Sequence, residues 1–266
     1  MRIHLQRDRG GFQLGPFDLG GDPHRPWLVL GESGSGKTSL LQLLAGSGEP
    51  GTRGSPLPSA ARPAYLPQLP ERALAGRNLA EDLCGDVRPP LAKRLELRRS
   101  LEDVGLQGIP LSRRSRDLSA GERRRVAVAL LRLSPSRVWA LDEPEAGLDL
   151  SGRGLLAQRL ASWWGDGSLR GLWIATHHFE LYARLRPQVL VLAGGGLVAQ
   201  GELEEVLARE DVFGALELGR RAPFRVWKTL GEGFAGISSA NLMKPTEAGG
   251  RVRQLQVILA NRAGLR

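Results

Sequence analysis

Eight residues, Gly31-Glu32-Ser33-Gly34-Ser35-Gly36-Lys37-Thr38, fill every fixed position of the pattern G-x-x-x-x-G-K-[ST]. They stand between two runs of opposite character. Trp27-Leu28-Val29-Leu30 before them is a short apolar run of the kind a buried strand makes, and Thr38 to Gly46 after them reads as a helix ended by glycine. Glycines let the backbone wrap closely, so that successive N–H groups point inward as a nest for phosphate oxygens. The helix start adds the positive end of a dipole. In such a loop Lys37 supplies a point charge for β- and γ-phosphates, and the Thr38 hydroxyl is placed to ligate Mg²⁺. The segment therefore predicts a nucleoside triphosphate site on an α/β fold.

The rest of the chain agrees with that fold class. Strand-like runs at Val138–Leu141, Leu172–Ala175 and Val189–Leu192 alternate with helix-like runs at 121–133, 151–164 and 178–185. Alternation of this kind implies a mostly parallel sheet with helices on its faces. Residues 1–30 read as short strands broken by glycine turns, which predicts an antiparallel β region at the N-terminus. Residues 46–63 are rich in Gly, Pro and Ser and read as turns. Between about 72 and 120 the chain turns to short helices, with Leu91, Leu95, Leu101 and Val104 as an expected apolar stripe ending near Gly105. Gly194-Gly195-Gly196 predicts a hairpin into Leu197–Gln200, followed by a short helix from Glu202 to about Arg209.

Arg137-Val138-Trp139-Ala140-Leu141-Asp142-Glu143-Pro144 reads as a strand that ends in two carboxylates. Ligands of a parallel sheet gather at the carboxyl ends of its strands, where the glycine loop also sits. Asp142 is thus expected to hold Mg²⁺, and Glu143 to face the γ-phosphate and polarise a water.

Between these motifs lies Asp117-Leu118-Ser119-Ala120-Gly121-Glu122, followed by three arginines and Val126-Ala127-Val128-Ala129. It resembles the signature of the ABC ATPase family, usually L-S-G-G-Q, and departs from it at Ala120 and Glu122. A serine hydroxyl and N–H groups at a helix start make a second anion site, and the same geometry caps the helix. The resemblance extends in order along the chain. Gln68, in Tyr65-Leu66-Pro67-Gln68, is similar to the Q-loop glutamine. Asp149, in Ala146-Gly147-Leu148-Asp149, is similar to the D-loop aspartate. His177, after Trp173-Ile174-Ala175-Thr176, is similar to the switch histidine, with His178 as its neighbour and competitor.

What the resemblance implies is specific. The fold is a P-loop, RecA-like core over residues 1–215 with an inserted α-helical subdomain at about 72–120 and a small C-terminal extension, 216–266. ATP and Mg²⁺ are the expected cofactors. The loop residues Gly31, Ser33, Gly34, Ser35, Gly36, Lys37, Thr38 and Ser39 would hold the nucleotide. Thr38, Gln68 and Asp142 would serve the metal. Lys37, Gln68, Glu143 and His177 would be catalytic. Ser119, Gly121 and Asp149 would reach the partner's nucleotide across a head-to-tail dimer. The adenine-stacking aromatic is assigned to Phe12, with Phe17 as second choice.

The expected activity is ATP hydrolysis coupled to membrane transport, with an integral membrane subunit and a second ABC ATPase, identical or different, as partners. Leu69-Pro70-Glu71-Arg72 and Asn78–Leu83 resemble the post-Q-loop segment of energy-coupling factor ATPases, which drive uptake of vitamins or of cobalt and nickel ions. A soluble ABC ATPase of nucleic-acid maintenance or iron–sulfur assembly is the alternative. No apolar stretch approaches the roughly 18 residues that cross a bilayer, so the expected place is the cytoplasmic face of the membrane, peripherally. The net charge of +9 is carried mostly by arginines in short clusters, since Lys37, Lys93, Lys228 and Lys244 are the only lysines. Such a dispersed excess reads as a solvated surface, and direct nucleic-acid binding is not expected. The single Cys84 excludes an internal disulfide and a Cys-rich metal site.

Overall fold

The computed structural model describes residues 2–6, 13–20, 25–47, 57–58, 61–70, 74–209 and 212. The chain divides into two units, Met1–Glu217 and Leu218–Arg266, and every described residue belongs to the first. The extension proposed for 216–266 and the adenine candidate Phe12 lie outside the described residues.

Strands β1 (Arg2–Gln6) and β2 (Gln13–Asp18) pair antiparallel as a two-stranded ribbon. The main sheet has six strands: β3 (Trp27–Gly31), β4 (Ala64–Leu66), β5 (Val138–Asp142), β6 (Gly171–Ala175), β7 (Gln188–Ala193) and β8 (Gly196–Glu202). Their spatial order is β4-β5-β6-β3-β7-β8, parallel throughout except for the antiparallel hairpin β7–β8. Strand β3 is covered on both sides and buried along its whole length, which is why its sequence is a continuous apolar run rather than an alternating one. Trp27 stacks face to face on Trp173 of the neighbouring β6, with centroids 5.1 Å apart.

Helices α1 (Lys37–Ala45), α2 (Leu79–Cys84), α3 (Leu91–Asp103), α4 (Ala120–Leu133), α5 (Leu150–Gly165) and α6 (Leu203–Leu207) complete the described part, with 3-10 turns at Ser115–Asp117 and Phe179–Leu185. Helix α1 packs its leucines, Leu40, Leu41, Leu43 and Leu44, into a core shared with Trp27, Val29, Ala140 and Leu190. None of the helices among the described residues is long and apolar enough to cross a membrane.

The stripe expected on α3 is only half right. Leu101 and Val104 are buried, together with Leu97, whereas Leu91 is 63% exposed and Leu95 48%. At 100° per residue Leu97, Leu101 and Val104 fall on one side of the helix, and Leu91 and Leu95 fall on another. The run 178–185, expected as helix, winds instead as a tighter 3-10 segment.

The β7–β8 hairpin turns next to the glycine loop. Gly195 donates its N–H to Ser35 O at 3.1 Å and accepts from Gly15 N–H at 2.8 Å. Its φ is +81°, and a Cβ there would overlap the carbonyl oxygen of Gln13. Gly195→Ala should therefore cost about 2–4 kcal/mol, from left-handed strain plus overpacking. A denaturant midpoint unchanged from wild type would show that the hairpin tip can move away.

Candidate nucleotide site

Parallel pairing sends four motif-bearing strand ends to one edge of the sheet. Strand β3 delivers the glycine loop, β4 delivers Pro67-Gln68, β5 delivers Asp142-Glu143 and β6 delivers Thr176-His177. Segments more than 100 residues apart in sequence thus meet because their strands are neighbours or next neighbours.

The loop is shaped by its glycines. Gly31 (φ +148°), Gly34 (+82°) and Gly36 (+107°) all adopt backbone angles that L-residues rarely take. At Gly31 a Cβ would collide with Leu192 O and the Ser35 side chain. Ser35 is buried beneath the loop, so its side chain faces the protein rather than the cleft. Lys37 folds back over the loop, and its Nζ donates to the carbonyls of Gly31 and Glu32 at 2.8 Å each. Ser33, Gly34, Gly36, Lys37, Thr38 and Ser39 line a cleft of about 400 Å³ together with Gln68 and Glu143.

At the floor, Thr38 Oγ1 donates to Asp142 Oδ2 at 2.7 Å, and the Tyr65 hydroxyl donates to the same oxygen at 3.2 Å. Burial raises the Asp142 carboxyl above its ordinary range, against the pull of those two hydroxyls. Burial, with the Asp142 charge second, likewise raises the Tyr65 phenol.

Glu143 sits at the rim with a left-handed backbone (φ +46°), a conformation that non-glycine residues adopt chiefly where surroundings impose it. Its N–H donates to Ala175 O at 2.9 Å, which fixes the turn to β6. Its carboxylate lies between two other motifs. Gln68 Nε2 donates to Oε2 at 3.1 Å, and His177 Nε2 lies 3.2 Å from Oε1. The His177 hydrogen bond holds this carboxyl below the usual range, so it is ionised and able to accept a proton-bearing partner. Of the two adjacent histidines only His177 faces Glu143. His178 turns to Glu180 Oε1 at 3.3 Å and Arg153 at 3.5 Å.

Ser119, Gly121 and Asp149 are placed elsewhere, at the starts of α4 and α5. Ser119 caps α4 in a capping box: Glu122 N–H donates to Ser119 Oγ at 3.2 Å, and Ser119 N–H donates to Glu122 Oε2 at 2.7 Å. Asp149 caps α5 by accepting from Gly152 N–H at 2.9 Å. Gly121 approaches the Gly147 carbonyl so closely that a Cβ would stand 3.4 Å from it. The two motifs form a second cluster, distinct from the cleft. Phe17, the other adenine candidate, is half-buried and packs on the core.

Three contributors were not visible in sequence. In the sequence Tyr65 stands only as part of the string around Gln68. Arg124, in the middle of three consecutive arginines taken as solvated surface, is 6% exposed and donates to Pro67 O at 3.3 Å and Gln68 O at 2.6 Å. Glu145, which no sequence motif marks out, is also buried.

Comparison with known proteins gives concordant results. The family model for ABC transporters matches residues 17–146. The molybdate/tungstate import ATP-binding protein WtpC of Thermococcus kodakarensis is 31% identical over 270 residues, spanning 94% of this chain and 78% of its own. The energy-coupling factor transporter ATP-binding protein EcfA2 of Bacillus thuringiensis is 30% identical over 205 residues, 70% of this chain and 69% of that protein. Among solved structures, the post-hydrolysis dimer of the ATP-binding cassette MJ0796 bound to ADP and Pi aligns with a TM-score of 0.63, over 76% of this chain and 96% of that one. At 14% identity that last likeness is one of fold.

Proposed function

The chain belongs to the ABC transporter ATP-binding family, and from that premise we propose that it is the motor subunit of an import system for a micronutrient, working as a head-to-tail dimer. Family members are ATPases coupled to transport, and ATP binding follows from membership. The import direction rests on WtpC, named for molybdate and tungstate uptake, and on likeness to an energy-coupling factor ATPase.

The observation that carries the reading is Glu143, an ionised carboxylate held by Gln68 and His177 in the cleft that Lys37 also lines. Phosphoryl transfer depends chiefly on positioning and on neutralising charge. Lys37 and the N–H groups of the glycine loop would bind the β- and γ-phosphates. Glu143 would accept a hydrogen bond from the attacking water and orient it in line, with the His177 imidazole beside it fixing the carboxylate and the γ-phosphate. Gln68 would link this carboxylate to the nucleotide. Ser119 and the N–H groups at the start of α4 would complete the other nucleotide's site across the dimer, with Asp149 alongside.

Mg²⁺ fits the residues present. Asp142 is a buried carboxylate that accepts from the Thr38 and Tyr65 hydroxyls and feels the more distant Lys37 charge, yet burial outweighs all three and leaves its charge under-compensated; the Thr38 oxygen stands 2.7 Å away. Thr38 and Asp142, with Gln68 near, would hold the ion. Bound there, it would neutralise charge on the phosphates.

A membrane subunit is the proposed partner. Leu69, directly after Gln68, is 49% exposed, and Leu91 and Leu95 stand outward on α3 of the helical segment. Apolar side chains left in water on the segment that follows the Q-loop suit a docking helix. Affinity purification of the tagged chain from detergent-solubilised membranes of its host should retrieve an integral membrane protein in stoichiometric amount. Retrieval of soluble proteins alone would remove the transport claim and leave the ATPase chemistry standing.

A further inference from the structure

A third carboxylate sits on the turn that carries Glu143, and it points inward. Glu145 is 2% exposed. Its Oε2 accepts from the Tyr182 hydroxyl at 2.7 Å, and its Oε1 accepts from the Thr176 hydroxyl. Tyr182, at 1% exposed, and Thr176, also at 1%, are as buried as the acid they bind. The Thr176 oxygen in turn accepts the backbone N–H of His178 at 2.8 Å.

The chain of contacts has a particular object. Thr176 precedes His177 and His178 follows it, so one hydroxyl grips the backbone on both sides of the imidazole-bearing residue. The orientation of that hydroxyl is set by Glu145. Glu145 is anchored in turn by Tyr182, which lies on the 3-10 segment Phe179–Leu185, and by its own backbone, whose carbonyl accepts from Leu148 N–H at 3.1 Å. Burying a carboxylate is costly unless hydrogen bonds offset it, and an apolar group of the same shape would fill the space without that cost. A polar network here fixes geometry that an apolar one would leave loose.

We infer that Glu145 is a positioning residue for ATP hydrolysis: through Thr176 it locks the turn that presents His177 to Glu143. The inference rests on the roles proposed above for Glu143 and His177. The Glu143–His177 distance of 3.2 Å is then set from two directions. The left-handed Glu143 backbone sets one side, and the Glu145–Thr176–His178 clamp sets the other. Lys37 and the glycine loop are on a different strand end and do not share the clamp.

The test is a double-mutant comparison on the full chain, reading steady-state hydrolysis and binding of a fluorescent ATP analogue. Glu145→Ala should lower kcat about 10- to 100-fold, the size expected from a misplacement near 1 Å, with KM and analogue affinity within about twofold of wild type. Glu145→Gln, which keeps the shape and can bond both hydroxyls, should restore kcat to within about fivefold. In a His177→Ala background, Glu145→Ala should lower kcat by less than about twofold further, because its route of action is already gone. Should Glu145→Ala not fold, Thr176→Val removes the same link and should reproduce the kcat-only loss. Wild-type kcat in Glu145→Ala, or an equal loss in both backgrounds, overturns the clamp. Full turnover in His177→Ala alone would instead bring down the role proposed for that histidine, a separate failure visible before the double variant is read.

Discussion

Glu143→Gln should still bind ATP and should hydrolyse it about 10²–10⁴-fold more slowly, the contribution typical of a positioned general base. The substitution is nearly isosteric. The amide can still accept from Gln68 Nε2, now 3.1 Å from the carboxylate, so the wall of the cleft stays in place. What it loses is the negative charge that the His177 contact at 3.2 Å holds ionised. A neutral amide cannot draw a proton from an attacking water. Binding should be spared because Lys37 is placed by the carbonyls of Gly31 and Glu32 and not by this carboxylate. Single-turnover hydrolysis, measured beside the affinity for an ATP analogue, separates the two effects. A Gln variant that turns over like wild type would sink the role of Glu143, whatever else is right about the site.

Lys37→Ala should fail one step earlier, at binding. The ammonium is drawn over the loop by the carbonyls of Gly31 and Glu32, both 2.8 Å away, so its charge is delivered to the cleft already placed. Hydrogen bonds from a charged donor contribute about 1.5–3 kcal/mol each. Loss of about 3 kcal/mol weakens affinity roughly 100-fold. Titration of a fluorescent ATP analogue should show that loss, with the denaturation midpoint measured beside it because the buried Gly31 carbonyl loses its donor. Unchanged affinity would mean that the loop does not hold the triphosphate.

The two substitutions touch the parts of the molecule that were easiest to read in advance. Gly31–Thr38 is a contiguous string whose spacing follows from the geometry of a phosphate nest. Asp142 and Glu143 end an apolar run, and a parallel sheet collects such ends. Strand and helix order could be read for the same reason, since buried strands and amphipathic helices leave periodic marks. The illegible contributors are those whose meaning lies in a distant partner. Glu145 meets Thr176 and Tyr182, 31 and 37 residues on, and Arg124 meets carbonyls 56 and 57 residues back. A buried charged residue paired across such a span looks, in one dimension, like any surface acid or base. Helix α3 shows a different limit. Leu91 and Leu95 are spaced like core residues, yet the buried side belongs to Leu97, Leu101 and Val104. Spacing identifies faces, and tertiary contact chooses between them.

Arg124 has a mechanical meaning beyond its burial. It grows from α4, the helix that Ser119 begins, and its guanidinium donates to the carbonyls of Pro67 and Gln68, which flank the Gln68 Cα. A guanidinium is planar and stiff, so this grip transmits push as well as pull. A swing of α4 would therefore carry the root of the Gln68 side chain with it, and a partner pressing on the exposed Leu69 would bear on the helix through the same arginine.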